Sequence, residues 1–109
     1  MERTRDFVLY APVQSVFERT AYFLDELGWK NIDQDIDTYT QRWQIGGYWW
    51  FRRRLLTLRL REIEDDRTEV NLLIRDPVLM WGGSNLLEDE ADQLVEQFEG
   101  HLNPATMPG

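Results

Sequence analysis

The chain has 109 residues, a formal net charge of −8 and no cysteine, and 42% of its side chains are hydrophobic. That length suits one domain with its own core, and the missing cysteines exclude disulfides, thiolate metal centres and thiol nucleophiles. With 20 acidic against 12 basic side chains, general affinity for nucleic acid is disfavoured, because phosphate neutralisation supplies most of it.

Thr4 to Tyr10 mixes β-branched and aromatic residues and stops at Ala11-Pro12, which predicts a first strand. Proline can open a helix, and Val13, Val16, Phe17, Phe23, Leu24 and Leu27 recur at helical spacing up to Gly28, so a helix is expected over Pro12 to Leu27. Trp29 to Gln34 and Thr38 to Gly46 read as a strand pair around Asp35-Ile36-Asp37, with Tyr39, Trp43 and Ile45 on one face. A fourth strand is expected from about Arg52 to Ile63, Leu56, Leu58 and Leu60 alternating with Thr57, Arg59 and Arg61. After the charged turn Glu64-Asp65-Asp66-Arg67, Val70, Leu72 and Ile74 alternate with Asn71, Leu73 and Arg75 until Asp76-Pro77 ends a fifth strand.

Leu87, Ala91, Leu94, Val95, Phe98 and Leu102 then define a one-sided helix, with Asn85 and Glu88 placed as a capping box. The domain is expected to cover residues 1–102, followed by a flexible tail from Asn103 to Gly109. The start Met1-Glu2-Arg3-Thr4-Arg5-Asp6 lacks the apolar stretch of a secretory leader, and no run nears the ~20 apolar residues of a membrane helix. The expectation is a cytoplasmic protein.

The order strand, helix, four strands, helix predicts an α+β fold: a five-stranded antiparallel sheet with both helices packed on one face. Phe7-Val8-Leu9-Tyr10-Ala11-Pro12-Val13-Gln14-Ser15-Val16-Phe17, with its Ala-Pro pair and following Val-Phe, resembles the opening of helix-grip proteins. That superfamily includes birch-pollen-allergen, START-type lipid-transfer and polyketide-cyclase-like proteins, and the chain is also similar to short bacterial domains of unknown function. The resemblance implies a sheet gripping a long C-terminal helix, with an apolar pocket between them. This chain is short for that family and lacks the insertions that enlarge the pocket. The same element order fits one repeat of a TATA-box-binding-protein-like fold.

If strand one pairs with strand five, three segments converge on one end of the sheet: Trp29 after Gly28, Tyr48-Trp49-Trp50-Phe51 after Gly46-Gly47, and Val78-Leu79-Met80-Trp81 before Gly82-Gly83. Arg52, Arg53 and Arg54 collar that aromatic pole. Its side chains either close the core or form a docking tip, since Trp and Arg are enriched in binding hot spots and suit the membrane interface. The candidate partner-binding residues are therefore Trp29, Tyr48, Trp49, Trp50, Phe51, Arg52, Arg53, Arg54, Met80 and Trp81. At the opposite pole Asp33, Asp35 and Asp37 are expected to approach Glu64, Asp65 and Asp66.

Catalytic signatures are sparse. His101, the only histidine, ends the last helix, where a cation complements the dipole. Ser15 and Ser84 fit helix starts and lie in no Gly-x-Ser-x-Gly elbow. Asp33-x-Asp35-x-Asp37 begins like a calcium loop, but Thr38 replaces the turn glycine and Gln44 the bidentate glutamate. Gly46-Gly47 and Gly82-Gly83 lack a phosphate-loop context. Arg42, Arg59, Arg61 and Arg75 share the face away from the helices, without the interleaved aromatics that single-stranded nucleic acid requires. No catalytic, metal or cofactor-binding residue is assigned.

Two functions follow. The first is a non-catalytic binding or adaptor domain whose aromatic, arginine-collared end docks a protein partner or membrane surface. The alternative is a small helix-grip carrier or enzyme that admits an apolar small molecule between sheet and last helix.

Overall fold

The structure is a computed structural model that describes residues 2–46, 53–76 and 83–102, with side chains in the last segment described from Leu87 onward. Its elements run β1 (Glu2–Leu9), α1 (Val13–Glu26), β2 (Lys30–Asp35), β3 (Thr40–Ile45), β4 (Arg54–Glu64), β5 (Arg67–Arg75) and α2 (Gly83–Leu102). This is the expected α+β order. β1 begins two residues earlier than predicted, since Glu2 and Arg3 extend the ladder against Arg75 and Ile74.

All described strand pairs are antiparallel and the sheet order is β1-β5-β4-β3-β2. Leu58 faces Leu72 and Leu60 faces Val70 across the central pair, so their side chains share one face. That face carries Leu9, Leu56, Leu58, Val70, Leu72 and Ile74, all completely buried. Both helices cover it. Burying one such aliphatic side chain stabilises the fold by about 1.5–3 kcal/mol, so this layer supplies much of the driving force.

α1 buries Val13, Val16, Phe17, Thr20 and Leu24, a stripe at i, i+3, i+4, i+7 and i+11. Pro12 precedes it in an extended conformation, and the Val16 N–H donates to the Pro12 carbonyl at 2.9 Å. Its far end closes as a Schellman motif. The Trp29 N–H donates to the Leu24 carbonyl and the Gly28 N–H to that of Asp25, with Gly28 at φ +94°. A side chain at Gly28 would meet open space, so glycine is required there by backbone conformation alone.

The turn after β2 sits later than Asp35-Ile36-Asp37 suggested. Asp35 Oδ1 accepts the Asp37 N–H at 3.0 Å, and Tyr39 completes the reversal at φ +51° before β3 starts at Thr40. α2 lies mainly along β1 and meets α1 through Phe98, whose ring is 6.0 Å from that of Phe7 and 5.4 Å from that of Phe23. The Asn85 and Glu88 capping box and the 103–109 tail cannot be compared, because Asn85's side chain and the tail lie outside the described residues. No helix among the described residues is long and apolar enough to cross a membrane.

Candidate functional site

Register fixes which chain ends meet. Lys30 pairs with Gln44, Ile45 with Arg54, and Leu55 with Arg75. The exit of α1, the connection from β3 to β4 and the exit of β5 therefore gather at one end of the sheet.

The predicted site residues divide there. Trp29 is 4% exposed and belongs to the core, held in place by the Schellman hydrogen bonds, so it offers no exposed ring. Arg53 is exposed. Arg54 departs from the expected outward collar: the β4 alternation that buries Leu56 and Leu58 turns it toward the helices. There its Nε pairs with Glu90 Oε1 of α2 at 2.5 Å. Tyr48, Trp49, Trp50, Phe51, Arg52, Met80 and Trp81 lie outside the described residues.

Beside the Arg54–Glu90 pair a cleft of about 170 Å³ opens between α2, the exit of α1 and β3. Leu27, Trp29 and Ile45 form one wall, and Glu90, Gln93, Leu94 and Gln97 the other. The helical wall follows from sequence spacing. Leu87, Ala91, Leu94, Phe98 and Leu102 are the buried ridge, and Glu90, Gln93 and Gln97 stand one position before three of its members. On the opposite flank Glu88 and Asp92 reach Arg5 of β1 at 3.6 and 2.7 Å. One flank of α2 is thus clamped to the sheet edge while the other borders the cleft.

Glu90 is the ionisable residue of that wall. Burial pushes its carboxyl above the ordinary carboxylate range, the nearby charge of Asp76 adds to the rise, and Arg54 opposes it. Asp76 is itself 5% exposed. Sequence reasoning missed Glu90, Gln93 and Gln97 because a polar residue beside an apolar stripe reads as solvated surface. The signal was the i, i+3, i+7 alignment of a carboxylate and two amides immediately beside the most regular apolar ridge in the chain.

The outer sheet face matches the sequence reading more closely. Arg42, Arg59, Arg61 and Arg75 are all exposed on it, and Arg61 donates to Glu69 at 3.0 Å across the β4–β5 ladder. An open hollow of about 420 Å³ lies there, lined by Asp33, Asp35, Thr38, Thr40, Arg42 and Arg59. Asp33 and Asp35 therefore border arginines. Among the described residues, no three of the His, Asp and Glu side chains are grouped to hold a metal ion. Trp43 is 2% exposed, so it offers the outer face no ring for stacking bases. His101 is in the last turn of α2, its ring 4.9 Å from that of Phe23.

No family model and no curated protein matches the sequence. Solved structures do match the fold. The chain is similar to Ara h 8.0201, at a TM-score of 0.61 and 12% identity over 89% of this chain and 90% of that one. It is also similar to an uncharacterized protein from Bacillus thuringiensis, at a TM-score of 0.57 and 10% identity over 94% and 98% of the two chains. A protein from Thermobifida fusca matches at a TM-score of 0.56 and 10% identity, over 91% and 82%. Together with the strand order and the long final helix lying along the sheet, these similarities establish a helix-grip fold.

Proposed function

We propose that the protein is a non-catalytic binding domain that takes an apolar small molecule, or the apolar end of a larger one, into the cleft between α2 and the sheet. The observation that carries this reading is the wall of Leu27, Trp29, Ile45 and Leu94 around about 170 Å³ in the position where a helix-grip fold opens between sheet and helix. An apolar cavity of about 150 Å³ accepts a benzene-sized molecule, so the volume suits one ring or a short chain. Binding is favoured over catalysis because, among the described residues, the lining holds one ionisable group, Glu90, already paired with Arg54. General acid-base work commonly uses two groups with separated protonation states.

A second reading draws on the convergence of chain ends. The connections carrying Tyr48 to Phe51 and Met80-Trp81 start and finish beside the cleft, at Ile45 and Arg54 and after Arg75. In this reading those aromatics, with Arg52 and Arg53, dock a protein partner or a membrane surface.

Hexan-1-ol titrated into labelled protein tests the first reading. Saturable shifts of the Leu27, Trp29, Ile45 and Leu94 amide resonances are expected, and Ile45→Phe, which fills the mouth, should abolish them while the fold persists. Shifts that never saturate, or that survive Ile45→Phe, would remove the cleft as a binding site. Sedimentation with anionic liposomes tests the membrane version of the second reading, the Trp49→Ala/Trp50→Ala double variant being expected to stay folded and lose attachment.

A further inference from the structure

The helical wall of the cleft is chemically lopsided. Glu90, Gln93 and Gln97 form one ridge at i, i+3 and i+7, facing a cleft whose other wall is Leu27, Trp29 and Ile45. Gln93 and Gln97 are exposed at the rim of the cleft, whereas Glu90 is half-buried, so its carboxylate is the polar group that gives up water there and gains from a further donor. Among the described residues the lining includes a carboxylate and two amides, and no cation. Arg54 engages Glu90 through Oε1, yet a carboxylate has two oxygens and about four acceptor positions, so one ion pair leaves accepting capacity. Asp76 adds a second nearby negative charge, so this corner holds two carboxylates against the guanidinium of Arg54.

We infer that the cleft selects apolar molecules bearing a hydrogen-bond-donating head, a hydroxyl or an ammonium, and rejects those bearing a carboxylate, with Glu90 as the selecting residue and Gln93 and Gln97 as supporting acceptors. The inference rests on the cleft being a ligand site, as proposed above. A donor head placed against Glu90 gains a charge-assisted hydrogen bond. A carboxylate head would meet a like charge at close range in a partly buried setting, where unit charges interact by several-fold more than in water. The volume sets the body at about six carbons, a little more than a benzene-sized guest.

Hexan-1-ol, hexylammonium and hexanoate share one body and differ in the head, so they read the selectivity directly. Each is titrated at pH 7 into the full chain, followed by the Trp29, Ile45 and Leu94 amide resonances, in about 0.3 M salt to screen the general attraction of the −8 body for cations. Hexylammonium is expected to bind at least as tightly as hexan-1-ol, and hexanoate about tenfold or more weakly. In Glu90→Gln the gap between hexylammonium and hexanoate should close to within about threefold. Hexanoate binding as tightly as hexylammonium to the wild type overturns the selectivity and leaves the apolar cleft standing. Absence of saturable shifts with all three ligands removes the cleft reading itself, and the selectivity with it. Because the wild-type series needs no variant, a Glu90→Gln protein that fails to fold leaves the decisive comparison intact.

Discussion

Gln41 has no exposed surface, although it sits between Thr40 and Arg42 in a strand of mixed character. Its amide Nε2 donates to the Phe17 carbonyl at 2.7 Å and lies 3.3 Å from Thr20 Oγ1, while its Oε1 accepts the Trp43 indole N–H at 3.0 Å. One side chain therefore ties α1 to β3 and satisfies a buried tryptophan. Gln41→Leu keeps the volume but strands the indole N–H, so it is expected to destabilise by about 1–3 kcal/mol in a urea melt. A midpoint equal to the wild type would mean that the network contributes nothing net. Residues of this kind are the least legible in the sequence. Alternation assigns Trp43 and Ile45 to the inner face correctly, but the polar residue between Tyr39 and Trp43 carries no signal that it meets a carbonyl and a hydroxyl of α1. Arg54 is hidden for a related reason. In the run Arg52-Arg53-Arg54 charge suggests a solvated collar, whereas strand parity decides that the third arginine turns inward.

At the scale of elements, α2 is the most legible part, its buried Leu87, Ala91, Leu94, Phe98 and Leu102 all following from spacing. Phe98 is where β1, α1 and α2 meet, so Phe98→Ala should cost about 3–5 kcal/mol through the cavity it leaves. Leu94→Ala should cost less within the about 2–5 kcal/mol range for such truncations, since the site already borders the cleft and can relax into it. Equal losses measured in the same urea series would contradict that ordering. The flank of α2 makes a pH prediction. Glu90 titrates above its ordinary value of 4.5, burial being the leading cause. A folded value above the unfolded one means that the protonated form favours the fold. This contribution is complete below the unfolded value and is lost as the pH rises through the folded value. Carbon-detected titration of Glu90 should show the raised midpoint, Arg54→Met should move it further up, and Asp76→Asn should bring it down. A midpoint at or below 4.5 would show that the Arg54 attraction outweighs burial.

At the scale of the molecule the sheet separates two environments, an inner face sealed by helices and an outer face bearing exposed arginines. The period-two pattern makes that division readable from the residues alone. The pairing of β1 with β5 enters the reading of the residues only as a condition, because β1 opens with polar and charged residues and buries only Phe7 and Leu9, which the ladder sets opposite Val70 and Thr68. The cleft is not readable. Its walls come from elements remote in sequence, and only the register of β3 against β4 and the path of α2 bring them together. One further property follows from β2. All six of its residues are exposed, and it ends the sheet with Ile32 at 54% and the adjoining Ile36 at 55% exposure. Such a rim invites another chain to add a strand, yet Ile32 falls in a bulge and Asp33 and Asp35 stand on either side of Gln34. The bulge breaks the spacing that an incoming strand needs, and the carboxylates set like charges opposite each other in a symmetric pairing. Asp33→Val/Asp35→Val should therefore sediment as a concentration-dependent dimer where the parent chain does not. The irregularity that weakens this strand within its own sheet is what keeps the rims of two copies of the protein from zipping together.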